Sequence, residues 1–430
     1  MTLFSDLRWR GLIHQTTNDE GIDAWLAEKQ RTLYAGFDPT ASSLHVGSLM
    51  GLLMLRRFQQ AGHRPIAVVG GATGMIGDPS GKSDERNLLS KEQLQENVEG
   101  LGKQMARFLD FDDSKNPALL VNNFDWTGNW TYLDFLRDIG KNFPVNVMLA
   151  KDSVKSRLGR GEDAGSAGMS YTEFSYMLLQ AYDFVHLSNE YGCELQAGGS
   201  DQWGNITAGI DLARRMRGTQ LYGLTWPLLT KSDGTKMGKT ESGAVWLDAE
   251  RTSPYQFYQY WINVDDADAG NCLRLLTELS QDVIELLDIA RVNDPGKRES
   301  QRRLAEELTR LVHGEVALAT AQKATEIFFG AEIADLSDAQ LTEIFADVPS
   351  KSLSRSRLGD GTLTIVDALV ESGLSKTKGE ARRTVEQGGA YINNRRIEGI
   401  DALLSTEYLA SESVMVLRSG KKKYALLRFE

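Results

Sequence analysis

Apolar and polar positions along the first third of the chain alternate in the order strand, helix, strand. Residues 31–40, Arg-Thr-Leu-Tyr-Ala-Gly-Phe-Asp-Pro-Thr, predict a strand that stops at Pro39, on which Tyr34, Gly36 and Asp38 share a face by the period of two. His45 then opens a helix with apolar residues at Leu49, Leu52, Leu53, Leu55 and Phe58, ended by Ala61-Gly62-His63. Residues 65–70 form a continuous apolar run of the kind buried in a parallel sheet, and residues 226–230 read as another buried strand. The order predicts a doubly wound, Rossmann-like α/β domain with ligands at the strand C-termini. Ser170-Tyr171-Thr172-Glu173 fits a capping box, so a helix begins there and sets Tyr176, Gln180 and Asp183 on one face. Residues from about 250 to 345 are rich in helix formers, as at Ile284, Leu286, Leu287 and Leu304, Leu308, Leu311. Around residues 348–356 the composition turns to linker, and a small α+β module follows. In it Lys378 and Arg382 stack on a capped helix, and residues 391–397 read as a hairpin.

At 430 residues the chain is long enough for two or three domains, and its 41% apolar content is ordinary for a globular protein. No apolar run approaches the roughly 18 residues of a membrane span, and the N-terminal stretch lacks a charged-then-apolar signal pattern, so a cytoplasmic protein with no membrane partner is expected. Cys193 and Cys272 have no C-x-x-C or histidine-rich company and are read as packing thiols, with no metal site. The net charge of −11 argues against nonspecific nucleic-acid binding, but it is unevenly spread: residues 351–430 carry 14 Lys+Arg against 10 Asp+Glu, and the acidic excess lies before them. The glycine-rich stretch 159–168 reads as a mobile surface loop.

Two short segments carry candidate chemistry. In His45-Val46-Gly47-Ser48 the imidazole sits at a helix start, beside free N–H groups and the positive end of the dipole, a natural phosphate site. In the glycine-bounded loop Lys236-Met237-Gly238-Lys239-Thr240 two ammonium groups can reach one triphosphate. Each is a weak signal alone and a strong one in combination. Gly77-Asp78-Pro79-Ser80-Gly81-Lys82-Ser83 imitates a P-loop, but three residues rather than four separate its glycines and Pro79 stiffens the backbone, so a P-loop kinase is rejected. His14, His63, His186 and His313 lack such context and are given surface or packing roles.

Together the two segments resemble the signatures of class I aminoacyl-tRNA synthetases. Residues 171–183 and 198–205 between them resemble the amino-acid pocket of bacterial tyrosyl-tRNA synthetases, a resemblance that runs over nearly the whole chain. It implies a catalytic domain over residues 1–245 that includes the lysine loop, a helical anticodon-side domain over 246–345, and a linker with a small basic RNA-binding module over 346–430. It also implies the reaction: L-tyrosine and ATP, with Mg2+ as co-substrate and no protein-ligated metal, give tyrosyl-adenylate and diphosphate, and tyrosine then passes to the 3′ end of tRNA(Tyr).

By the same resemblance His45, Ser48, Lys236, Lys239 and Thr240 are catalytic, and Tyr34 and Asp183 hold the phenolic hydroxyl. Asp78, Tyr176 and Gln180 hold the ammonium group, with Gln196 and Asp38 completing the network. Gly36, Asp38, Gly47, Gly198, Asp201 and Gln202 join His45 and Lys239 around ATP and the adenylate. Lys82, Arg86, Lys378, Arg382 and Arg383 meet tRNA, and Lys421, Lys422 and Lys423 add to the basic patch. Ser48 stands where the family commonly has a second histidine, and it brings a hydroxyl but no ring. The family implies a homodimer, for which Trp130, Tyr132, Leu133, Phe135, Leu136 and Phe143 could supply an apolar patch. A tryptophan-activating enzyme and an RNA-binding protein with an inactive synthetase domain are the rival readings.

Overall fold

The computed structural model describes residues 2–80, 89–113, 115–151, 154–155, 169–240, 243–334, 336–346 and 348–430. Lys82, Arg86, the stretch 159–168 and the Thr240 side chain lie outside the described residues. The chain divides into two compact units, Met1–Ser253 with Ile262–Val312, and Pro254–Trp261 with His313–Glu430.

The first unit is built on a six-stranded sheet of β1 (Gln15–Thr16), β2 (Thr32–Phe37), β3 (Arg64–Val69), β4 (Leu119–Asn122), β5 (Cys193–Gly199) and β6 (Tyr222–Trp226). Their order is β1-β6-β5-β2-β3-β4, and all neighbours are parallel except β1, which runs antiparallel to β6. From β2 the chain winds outward through β3 and β4, then returns to β5 and winds the other way. The winding therefore reverses between β2 and β5, and the crevice beyond their C-terminal ends is where ligands of such sheets bind. β2 ends sooner than its composition suggests, and the strand read over residues 226–230 lies instead at Tyr222–Trp226. β2 stops at Phe37, and β6 stops at Trp226, because Pro227 has no N–H to continue the ladder.

The helix opened by His45 starts as a tight turn, Val46–Ser48, and continues as Leu49–Gln60, which is buried on nearly every side. The helix Tyr171–Tyr191 is capped by Ser170, whose Oγ accepts the Glu173 N–H at 3.2 Å, and it ends at Gly192 in the left-handed region, φ 63°. Its Met177, Ala181 and Phe184 join Tyr34, Ile66, Val68 and Leu212 in one core, which fixes the polar face of the helix over the crevice. A short hairpin, β7 (Lys239–Thr240) with β8 (Gly243–Ala244), carries the end of the lysine loop.

The second unit holds a five-stranded sheet of order β11-β10-β12-β13-β9, made of β9 (Ser350–Leu353), β10 (Ala390–Ile392), β11 (Arg395–Arg396), β12 (Val414–Ser419) and β13 (Lys423–Phe429). Asn393 and Asn394, at φ 50° and 66°, make the turn between β10 and β11, as the hairpin reading requires. Alternate residues face opposite ways. Met415, Leu417, Leu427 and Phe429 pack with Ile365, Leu369, Ala381 and Val385. Val414, Val416, Tyr424 and Leu426 pack with Ala324, Ile327, Leu341, Ile344 and Phe345. Two expectations change. Part of the linker is strand β9, paired in parallel with β13. The helical stretch is divided, with Asp266–Leu276 and Gln281–Asn293 in the first unit and Glu315–Phe328 and Asp338–Ile344 in the second.

Candidate active site

One cavity of about 340 Å3 opens beyond the C-terminal ends of β2 and β5. Tyr34, Gly36, Asp38, His45, Gly47, Ser48, Asp78, Tyr176, Gln180, Asp183, Gln196, Gly198, Asp201, Gln202 and Lys236 all line it. Sequence positions from 34 to 236 therefore meet at one place. Lys239 is not among the described residues of its wall.

At the inner end, Tyr34 of β2 lies beside Gln196 of β5 and is 1% exposed. Its hydroxyl has no hydrogen-bond partner among the described residues. Burial, and then the nearby Asp183, push the phenol pKa well above its ordinary value, so it stays an O–H group. Asp183 is buried too. Its Oδ2 accepts from Asn123 Nδ2 at 3.0 Å and its Oδ1 from Trp126 Nε1 at 2.8 Å. Burial pushes the Asp183 carboxyl up to about 7; the two donors oppose the shift, and the charge of Asp38 adds to it. A free O–H beside a carboxylate with spare lone pairs suits a ligand hydroxyl, which can accept from one and donate to the other.

Toward the mouth the wall becomes acidic. Asp38 accepts from Thr73 Oγ1 at 2.9 Å and from Tyr176 Oη at 3.2 Å. Asp78 accepts from Gln202 Nε2 at 2.7 Å, from Ser80 N at 2.9 Å and from Asn205 Nδ2 at 3.4 Å, while Gln180 Nε2 donates to Gln202 Oε1 at 3.2 Å. The buried Gln180 Oε1 and Gln196 Oε1 have no partner among the described residues. Among the described residues four carboxyl groups thus line the cavity, with Lys236 as the one lysine and no arginine. Such a wall favours an ammonium group. Gly36 faces open space where any side chain would fill the cavity, and a Cβ on Gly199 would come within 2.6 Å of Asp201 Oδ1.

The two signature segments meet at the rim. Val46 N donates to Val245 O at 2.9 Å, Leu247 N to Leu44 O at 2.9 Å, and Val245 N to Gly238 O at 2.9 Å. Gly238 has φ 84°, and a Cβ there would lie 2.9 Å from Val46 Cβ. Only glycine allows this approach without a shift. His45 caps the turn, its Nδ1 accepting the Gly47 N–H at 3.0 Å. The surrounding protein, and then the Lys239 charge, hold the His45 pKa below its ordinary value, so the ring is neutral at pH 7. Lys239 therefore stands near His45 though outside the cavity wall, with an exposed side chain.

Sequence reasoning missed Thr73, Ser80, Asn123, Trp126 and Asn205, which act on the aspartates rather than on open space. One signal existed for Asn123, which directly follows the apolar run of β4, at a strand C-terminus. Of the expected RNA-facing residues, Lys378 pairs with Asp367 at 2.7 Å, and Arg382 and Arg383 are exposed on the same helix, Lys378–Glu386.

Comparison with known proteins matches residues 26–330 to the family described as tRNA synthetases class I (W and Y), and residues 340–427 to the tyrosine–tRNA ligase SYY-like C-terminal domain. The tyrosine–tRNA ligase of Rhodopirellula baltica is 60% identical over 429 residues, covering 100% of this chain and 97% of the relative. That of Geobacillus stearothermophilus is 50% identical over 430 residues and covers 100% of both. Among solved structures, a C-terminally truncated mitochondrial tyrosyl-tRNA synthetase from Aspergillus nidulans aligns with a TM-score of 0.68 at 29% identity, over 76% of this chain and 93% of that one. The first family description leaves tryptophan and tyrosine open, whereas the full-length relatives and the C-terminal match are of one kind, and the chain belongs to the tyrosine–tRNA ligase family.

Proposed function

We infer that this protein is a tyrosine–tRNA ligase that joins L-tyrosine to the 3′ end of tRNA(Tyr) in two steps within one site. A tyrosine carboxylate oxygen attacks the α-phosphorus of ATP and diphosphate leaves. A hydroxyl of the terminal ribose then attacks the adenylate carbonyl and AMP leaves. No nucleophile of the enzyme is needed, only groups that orient the reactants and stabilise charge on the phosphates.

The observation that carries this reading is the unpartnered Tyr34 hydroxyl beside Asp183, at the closed end of a cavity whose mouth holds both signature segments. A phenol satisfies both groups. An indole N–H could reach Asp183 but would leave Tyr34 unmatched, and phenylalanine would satisfy neither. Asp78, Tyr176 and Gln180 suit the ammonium group, and Asp38 and Gln196 support them. Gly36, Gly47, Gly198, Asp201 and Gln202 give the adenosine and ribose a close approach to backbone and amide. His45, Ser48, Lys236, Lys239 and Thr240 act on the phosphates, which bring Mg2+ with them. The work divides as residues 1–245 for the small substrates, 246–345 for the anticodon side, and 346–430, with Lys378, Arg382 and Arg383, for RNA; Lys82 and Arg86 serve the acceptor end.

We read the enzyme as a cytoplasmic homodimer. In support, no helix among the described residues is long and apolar enough to cross a membrane. Tyr132 and Leu133 are 66% and 75% exposed, with Val145, Val147 and Leu149 also uncovered nearby in sequence, whereas Trp130, Phe135 and Phe143 pack partly on the core. Light scattering should give a mass near two chains. Diphosphate exchange tests the activity: it should occur with tyrosine and not with tryptophan or phenylalanine. Exchange with none of the three would support an inactive synthetase domain, and exchange with tryptophan would support the rival enzyme.

A further inference from the structure

His186 was read from the sequence as a surface or packing residue, yet it stands three positions after Asp183 on the same helix, Tyr171–Tyr191, where residues so spaced share a face. Its ring stacks on the indole of Trp126, with centroids 4.4 Å apart and planes 15° from parallel. Trp126 is the residue whose Nε1 donates to Asp183 Oδ1 at 2.8 Å. The indole is only half-buried and comes from the one-turn helix Phe124–Thr127. That turn is itself fixed: Asn122 Oδ1 accepts from Gly71 N and Phe124 N at 3.2 and 3.0 Å, and Asn123 Oδ1 accepts from Ala72 N at 2.7 Å. The backbone is therefore held, but the indole could still turn away. It has room to do so, because a groove of about 510 Å3, lined by Leu120, Val121, Asp125, Trp126, His186 and Tyr191, lies on its outer side.

We propose that His186 is a positioning residue for tyrosine selection, its ring holding the Trp126 indole so that the N–H meets the Asp183 carboxylate. The proposal rests on the reading above that Asp183 takes the phenolic hydroxyl. Among the described residues Asp183 has two protein donors, and losing one leaves a buried carboxylate half-satisfied and free to rotate, which blunts its grip on the ligand. Stacking of the offset aromatic kind supplies the restraint without a covalent or charged link. One helix thus carries both the acceptor that reads the substrate and the ring that orients the acceptor's own donor.

The test is steady-state diphosphate exchange with tyrosine and with phenylalanine for wild type, His186→Ala, His186→Phe, Trp126→Phe and the double variant Trp126→Phe/His186→Ala. In His186→Ala the KM for tyrosine should rise about tenfold and the preference for tyrosine over phenylalanine should fall by about the same factor, the effect of weakening one hydrogen bond to a buried charge. The kcat and the KM for ATP should hold, which also shows that the sample is folded. His186→Phe keeps a stacking ring and should restore the preference. In the Trp126→Phe background, where no N–H remains to be aimed, His186→Ala should add nothing. An unchanged preference in His186→Ala would overturn the proposal, as would an equal loss with both amino acids, or a full additional loss in the double variant. A wild type with no preference for tyrosine would instead defeat the reading of the site itself.

Discussion

Tyr34 holds a hydroxyl in a wall where no described residue offers it a hydrogen bond, and this decides the sign of two effects in one substitution. Tyr34→Phe removes a buried, unpartnered polar atom, so the free protein should unfold at the same or a higher temperature, while the preference for tyrosine over phenylalanine should drop by roughly 1 kcal/mol, the worth of one neutral hydrogen bond. Calorimetry and exchange kinetics on one preparation check both. Asp183 gives a pH test. Its carboxyl titrates at about 7 in the folded protein against an ordinary 3.8. Between these values the folded form keeps a proton that the unfolded form has released, so this group favours folding less and less as pH rises from about 4 to 7. The penalty is complete above that window, at most roughly 4 kcal/mol. Asp183→Asn lacks the penalty. Whatever its offset, its melting temperature minus that of wild type should increase from pH 4 to pH 8; a flat difference would show that the native carboxyl is not shifted. Residues that face the ligand were legible in the sequence, because a strand period and a helix period each aligned them. Asn123 and Trp126 were not: they reach Asp183 across 60 and 57 residues from a turn with no period of its own.

The two signature segments behave as one element, laced by backbone hydrogen bonds and by the close approach of Gly238 to Val46. The rim can thus be held while the lysines stay exposed and free to move toward a triphosphate. Lys239→Ala should leave tyrosine affinity nearly unchanged and slow adenylate formation about a hundredfold to a thousandfold, by analogy with the loss of one preorganised donor. Single-turnover activation and equilibrium tyrosine binding separate the two; a loss below about threefold would make Lys239 an ordinary surface lysine. The helix opened by His45, the Ser170 cap and the run of β3 were readable because each expresses its own periodicity or capping chemistry. β9 was not. Of its four residues only Leu353 is buried, and the strand exists because the edge of β13 offers it hydrogen bonds.

Charge is divided along the chain, with an acidic catalytic region and a basic C-terminal segment, and the exposed Arg382 and Arg383 belong to the latter. Replacing both with glutamate should weaken tRNA charging and lessen its salt dependence, with diphosphate exchange as the control that needs no RNA. An unaltered salt slope would place RNA elsewhere. Composition located the segment, and the change to linker-like residues near 348 falls inside one compact unit. A sheet clothed on both sides has no outer face to spare. A protein ending near residue 350 keeps Ala324, Ile327, Leu341, Ile344 and Phe345 but loses the strands that cover them. It should bind a hydrophobic dye and aggregate, for reasons unrelated to RNA. Nor is the basic module a cassette: recombination that moved residues 346–430 into another protein would carry half a core, and the exchangeable piece starts upstream of the helix Glu315–Phe328.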